Sequence, residues 1–159
     1  MSFVVKATTD EDQDYICEIF NEWGADFVVT NGRKTYYRDV SGFYVEDESG
    51  ERIGLITYQM NTGECEIVTL NSSMRQFGIG SALIAAVIEI ARAERCRRVW
   101  LITTNDNVNA IRFYQLLGFS FAALRVGAIE HSRRLKPSIP LTGRHGIPIR
   151  DELEFEFPL

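Results

Sequence analysis

The apolar positions of this chain change period several times, and each change marks an element. Residues 3–7 are β-prone and stop at Thr8-Thr9-Asp10, a helix N-cap followed by acidic first-turn residues that suit the helix dipole. Tyr15, Ile16, Ile19, Phe20 and Trp23 then recur at helical spacing, and Gly24 closes that helix. Between Gly24 and Gly42 no period holds, and the aromatics Phe27, Tyr36 and Tyr37 mix with polar residues around an Asn31-Gly32 turn. A meander follows. Residues 42–46 and 52–60 are strand-like across the turn at 47–50, and Asn61-Thr62-Gly63 leads into residues 64–70. There Glu64, Glu66, Val68 and Leu70 alternate with Cys65, Ile67 and Thr69.

The second half begins with the longest helical pattern, residues 80–95. Its polar stripe (Ser81, Ala85, Glu89, Arg92, Cys96) is narrow, so most of its circumference is predicted to be buried. Residues 99–103 form a continuously apolar strand, buried on both faces. Asn105-Asp106-Asn107 caps a helix that runs to Leu117 and stops at Gly118, before a strand-like stretch at 119–126. All four prolines follow residue 136, which predicts an irregular crossing loop. In the last strand Leu153, Phe155 and Phe157 alternate with Glu152, Glu154 and Glu156. The order is β-α-β-β-β-α-β-α-β-loop-β, with neither an internal repeat nor a domain boundary. It predicts an α/β fold in one domain over 1–159, a mixed sheet with helices on both faces.

Composition narrows the function classes. The chain is 45% hydrophobic and 25% charged, ordinary for a globular protein. A net charge of −5 argues against nucleic acid as a partner, because binding it needs a basic footprint. The basic groups at Arg92, Arg95, Arg97 and Arg98 and at Arg133, Arg134 and Lys136 read as a solvated helix end and a solvated loop. Cys17, Cys65 and Cys96 are far apart and odd in number, which suggests free thiols in a reducing compartment. With only His131 and His145, no metal-ligand spacing is present, so no metal is expected. No signal peptide and no apolar run long enough for a bilayer are seen, so neither a membrane partner nor a location outside the cytoplasm is expected.

The chemistry concentrates at Arg75-Gln76-Phe77-Gly78-Ile79-Gly80-Ser81, between a strand and a helix. Glycines there let successive N–H groups converge on an anion, and the helix adds its positive dipole end. Alone, such a loop is equally a tight turn. A Walker loop would need Gly-Lys-Ser/Thr, and a dinucleotide fingerprint a third small residue where Leu83 stands. Both fail. What stands out is the pairing of this loop with Asn107-x-x-Ala110-x-x-Phe113-Tyr114-x-x-x-Gly118-Phe119 downstream.

With that pair of motifs, residues 64–119 resemble the GNAT superfamily of acyl-CoA N-acyltransferases. The resemblance implies a mixed, mostly antiparallel sheet with splayed central parallel strands, and acetyl-CoA as co-substrate. The CoA pyrophosphate would lie on the backbone amides from Gln76 to Ser81. Pantetheine would run along Val68, Thr69 and Leu70, with the Leu70 N–H near the thioester carbonyl to stabilise an oxyanion. Asn107 matches the asparagine that contacts pantetheine, and Tyr114 the tyrosine that protonates the departing thiolate. From spacing alone Tyr114 reads as a core aromatic. Ser72 departs from the family pattern, where proline is frequent.

An attacking amine must be neutral, so a base is needed, and Glu64 and Glu66 are the candidates. The competing reading is two solvated glutamates on an open sheet face. Cys65 alternates to the other face and reads as core, which implies direct transfer in a ternary complex. A non-catalytic acyl-CoA sensing module of the same fold is the alternative, and a nucleotide-binding domain of another kind is a third. The acceptor would be an amine of a small molecule or peptide, contacted from residues 24–42 (Arg33, Tyr36, Tyr37) and 127–150 (Arg133). An unpaired last strand would offer an edge for a homodimer.

Overall fold

Capping and turn chemistry set the first boundaries. The structure, a computed structural model, describes residues 2–72 and 78–159. After β1 (Phe3–Ala7), Thr9 caps a short 3-10 turn that runs into α1 (Gln13–Glu22). The Thr9 hydroxyl accepts the Glu11 N–H, while the Asp12 carboxylate accepts the Thr9 N–H at 2.7 Å and Arg52 Nη2 at 2.6 Å. The capping signal in the sequence is therefore a working box, tied to the sheet through Arg52.

Residues 24–42, aperiodic in the sequence, contain a hairpin: β2 (Phe27–Thr30) and β3 (Arg33–Tyr36). Asn31 and Gly32 both take positive φ (49° and 73°), as a two-residue hairpin turn demands. Only Val28 and Thr35 are buried in it, so the apolar alternation that betrays a strand is missing.

The main sheet is built from β1, β4 (Ser41–Asp47), β5 (Arg52–Asn61), β6 (Glu64–Ser72), β7 (Arg98–Thr104), β8 (Ser120–Arg125) and β9 (Glu152–Pro158). Its order is β1-β4-β5-β6-β7-β9-β8, antiparallel except for β6 beside β7. Leu55 and Ile56, adjacent on β5, point into different apolar clusters. One holds Ile16 and Phe20 of α1. The other holds Ile79, Leu83 and Val87 of α2 (Ile79–Ala93) and Tyr114 of α3 (Val108–Leu116). Helices thus cover both faces, as expected.

Two expectations are corrected. The stretch 127–150 is not all loop, because α4 (Ala128–Leu135) occupies its start. Of α4 only Ile129 and Ser132 are buried, too few to print a helical period on the sequence. The last strand is also not an edge. β9 lies between β7 and β8, so its main chain is paired on both sides and offers no edge to a dimer partner. The edges are β1 and β8. No helix among the described residues is long and apolar enough to cross a membrane.

Candidate active site

Strand alternation sends Cys65, Ile67, Val99, Leu101 and Phe155 into the core under α2. The residues between them must then face the other way. On that side Glu64 and Glu66 of β6, Arg98 and Trp100 of β7, Glu154 of β9 and Arg125 of β8 line one pocket of about 320 Å³. The β2–β3 hairpin closes it with Asn31 and Arg33, and the end of β5 and the turn after it add Gln59, Asn61 and Thr62.

The two candidate bases sit differently. Glu66 is 5% exposed, and burial pushes its carboxyl above the usual range. Arg33 (Nη2 at 3.6 Å) and the Thr30 hydroxyl (3.3 Å) pull it back only in part, and Glu154 adds to the rise. Glu64 is more open and is engaged by Arg98 Nε at 3.1 Å and Arg97 Nη2 at 3.5 Å. The expectation of two solvated glutamates holds for neither.

Glu154 anchors the pocket floor. Its two oxygens accept Arg98 Nη1 at 2.8 Å and Arg125 Nη2 at 2.6 Å. Burial pushes Glu154 up, but these guanidiniums outweigh it and hold the carboxyl below the usual range. Arg98 Nη1 also donates to Glu156 at 3.0 Å. Arg125 Nη1, by contrast, is buried and has no hydrogen-bond partner among the described residues. Trp100 lies under Arg98 and Arg33, whose guanidinium carbons are 5.2 and 6.0 Å from its ring centre. At the hairpin tip, the Asn31 N–H is held by Glu152 at 3.1 Å; Glu152 is 1% exposed, and burial raises its pKa.

Above the pocket the sheet opens. β6 and β7 pair from Cys65↔Val99 through Glu66↔Trp100 to Ile67↔Leu101, and there their ladder ends. Among the described residues, β6 continues through Val68, Thr69 and Leu70 to Ser72 beside β5, past the end of its ladder with β7. The register of β5 and β6 shifts at Thr57/Tyr58, and the Thr57 and Thr69 hydroxyls meet at 2.6 Å. A bulge at this point re-aims the end of β6.

Beyond the gap stands the start of α2. Gly78 holds φ 72°, with nothing among the described residues within 4 Å of where a Cβ would be. A Cβ on Gly80 would lie 3.1 Å from Phe113, so a small residue there lets α2 meet α3. Ser81 is exposed. Arg75, Gln76 and Phe77 lie outside the described residues. Asn107 caps α3, accepting the Ala110 N–H at 3.4 Å and donating to Thr103 Oγ1 at 3.1 Å. Tyr114 is 6% exposed, its ring against Phe113, Phe119 and Phe155, and burial pushes its hydroxyl pKa up.

Of the residues expected to touch the acceptor, only Arg33 lines the pocket. Tyr36 packs on Phe27 under Arg38, and Tyr37 meets Phe20. Arg133 clamps the crossing loop through the carbonyls of Ile139, Pro140 and Ile149. Arg98, Trp100, Arg125 and Glu154 were missed. Arg98 looked like part of a solvated helix end, although its place one residue before an apolar strand was a usable signal. The alternating glutamates of β9 were visible, but which way they face depends on the neighbours of that strand.

Known proteins agree with this architecture. The sequence model of the acetyltransferase (GNAT) family matches residues 8–119. Uncharacterized protein YdhI of Bacillus subtilis (strain 168) is 51% identical over 117 residues, 74% of this chain and 73% of that one. Among solved structures, the IAA acetyltransferase from Bacillus cereus ATCC 14579 superposes with a TM-score of 0.74 at 18% identity, over 99% of this chain and 100% of that one. A GNAT family acetyltransferase from Elizabethkingia anophelis with acetyl-CoA bound gives 0.73 at 16% identity, over 99% and 98% of the two chains.

Proposed function

The chain belongs to the acetyltransferase (GNAT) family, and on that footing we propose that it transfers the acetyl group of acetyl-CoA to an amine in a ternary complex. The observation that carries this reading is the position of Glu66. It is buried in a pocket and is the residue before the last position that β6 pairs with β7, where the sheet begins to open.

Acetyl-CoA fits the features around the gap. The free side of Val68, Thr69 and Leu70 offers main-chain groups to an extended amide-bearing arm. Gly78 caps, and Ile79, Gly80 and Ser81 begin, a fifteen-residue helix whose first N–H groups suit a pyrophosphate. By resemblance Arg75, Gln76 and Phe77 complete that cradle, and Asn107 stands at the far side of the gap. A structural neighbour holds acetyl-CoA on the same fold. The co-substrate supplies an acetyl group activated as a thioester, whose C–S bond breaks as the C–N bond forms.

The proton steps belong to the chain's own residues. Glu66 accepts the proton of the attacking amine, and its raised pKa makes it a better acceptor than an exposed carboxylate. Glu64, held by two arginines, is the weaker candidate. Tyr114, kept protonated by burial, gives its proton to the sulfur. Cys65 is fully buried in the core, and burial raises its thiol pKa to about 12, so no covalent acetyl-enzyme is invoked. Residues 1–159 act as one catalytic domain in this reading.

The test is thermal unfolding with acetyl-CoA, CoA, NAD and ATP. A ligand at about a hundred times its dissociation constant adds roughly 2.7 kcal/mol. Stabilisation by the two CoA compounds alone supports the proposal, and amine-dependent thiol release completes it. Stabilisation without release on any amine points instead to a sensing module.

A further inference from the structure

We propose that Glu152 is a positioning residue for the transfer: by clasping the tip of the β2–β3 hairpin, it holds Thr30 and Arg33 against the two oxygens of Glu66. This rests on the acetyltransferase reading above, in which Glu66 is the base, and adds to it a residue outside the pocket.

The hairpin needs a clasp. Among the described residues, β2 and β3 form a two-stranded sheet of their own, with no ladder to the main sheet. Within its strands only Val28 and Thr35 are buried. Two buried ionisable side chains hold its main chain instead. Lys136, 6% exposed, donates from Nζ to the Phe27 carbonyl at 3.0 Å, where the hairpin starts. At the tip, both oxygens of Glu152 accept the Asn31 N–H, at 3.2 and 3.1 Å. That N–H is the one hydrogen-bond donor Glu152 has among the described residues. An apolar side chain would cost less to bury here. What the carboxyl adds is a fixed acceptor, carried by a strand paired on both sides, for a turn that lies outside the sheet.

The turn sets what the clasp controls. Asn31 and Gly32 are the two turn residues, so Thr30 and Arg33 are the first facing pair of the hairpin. Both reach Glu66. The Thr30 hydroxyl donates to one carboxyl oxygen at 3.3 Å, and Arg33 Nη2 stands 3.6 Å from the other. These contacts are long, so a tip displaced by about 1 Å makes neither.

The remaining charges of the pocket do not depend on the hairpin. Arg98 and Arg125 are tied to Glu64 and Glu154 within the main sheet. Glu152 itself is faced by Arg125 across the β8–β9 ladder, and it shares a small cavity with Gly32 and His131 of α4. Arg33 and Thr30 pull the Glu66 carboxyl down, while burial and Glu154 push it up. Releasing the tip removes the first two and leaves the others. Glu66 then keeps its proton to higher pH, and fewer molecules carry a free base near neutrality.

Two variants separate reach from charge. Glu152→Asp keeps the carboxylate but draws it back by one methylene from the Asn31 N–H. Glu152→Gln loses the charge but keeps a carbonyl oxygen in place. The titration of the Glu66 carboxyl carbon is followed by NMR, assigned by its loss in Glu66→Gln. On the same proteins kcat/KM for an amine acceptor is measured against pH. Glu152→Asp should move the midpoint to higher pH and lower kcat/KM about tenfold on the acidic limb. Glu152→Gln should stay at the wild-type midpoint. In a Thr30→Val, Arg33→Ala background, Glu152→Asp should move it no further. An unmoved midpoint in Glu152→Asp, an equal shift in Glu152→Gln, or a full further shift in that background overturns the proposal. The midpoint needs no turnover. A protein that transfers no acetyl group, or whose rate profile ignores the shift, therefore sinks the earlier reading and leaves the clasp to the midpoint. If Glu152→Asp does not fold, amide exchange in the wild type decides. Asn31 protected as strongly as the β2–β3 ladder supports the clasp, and exchange at the rate of an open turn overturns it.

Discussion

Strands β6, β7 and β9 present one face to α2 and α3 and the other to the pocket, and the two faces are alternate residues of the same segments. Toward the helices stand Cys65, Ile67, Val99, Leu101 and Phe155, an apolar layer with Cys65, Val99 and Phe155 fully buried. Toward the hairpin stand Glu64, Glu66, Arg98, Trp100 and Glu154, of which Glu66 and Glu154 are nearly as hidden from water but are carboxyl groups. Burial is shared and the energetics are opposite. One face gains free energy by leaving water. The other is held in a charged state that the fold must support, and that tension is where reactivity can be stored.

Substitutions on the two faces should therefore fail in different ways. The largest effect is expected for Phe155→Ala, a cavity in the apolar layer costing about 3–5 kcal/mol. Chemical denaturation checks it, and whatever activity survives should track the folded fraction.

Glu66→Gln should do the reverse, lowering kcat/KM roughly 100-fold while raising the melting temperature at neutral pH. Burial lifts the Glu66 pKa above its unfolded value, so its contribution to stability is full below that value and is lost as pH rises through the folded one. The stability advantage of the glutamine variant should thus vanish below about pH 4, near the unfolded carboxyl pKa. In the wild type, kcat/KM should rise with pH through the elevated carboxyl pKa, and the variant should lack that limb. A Glu66→Gln protein with wild-type turnover would remove the base from the proposal.

Tyr114→Phe tests a residue that belongs to both sides, packed in the apolar layer yet assigned a proton. A loss of roughly tenfold or more in kcat with an unchanged melting temperature supports the assignment. Unchanged turnover returns Tyr114 to the core alone. The smallest effect is expected for Arg97→Ala. Arg97 is mostly exposed and sits 3.5 Å from Glu64, so its loss should change stability by less than about 0.5 kcal/mol.

Local signals carried much of the fold. The Thr9 cap, the Asn107 cap, the alternation of residues 64–70 and the polar stripe of α2 from Ser81 to Arg92 each appear in the structure close to where the pattern put them, whereas Cys96, read as part of that stripe, is buried in the core past the helix end. The β2–β3 hairpin and α4 were illegible because they bury too few side chains to impose a period. Of the site, Glu64, Glu66 and Arg33 could be named in advance. Arg98, Arg125 and Glu154 could not, because nothing in a strand's own residues says which strands will flank it.

By itself, then, the sequence determined most of the elements, the paired motifs that mark the family, and the alternation that sets glutamates opposite a core. Capping, turns and periodicity are short-range, written within a few residues of where they act. Only the tertiary structure decided that β9 inserts between β7 and β8 and that β6 parts from β7 after Ile67. Strand order is a property of long-range pairing, and it brings together side chains as distant in sequence as Arg33, Glu66, Arg125 and Glu154. The chemistry of the pocket arises from that convergence, because a carboxylate becomes a buried base only when other parts of the chain exclude water from it.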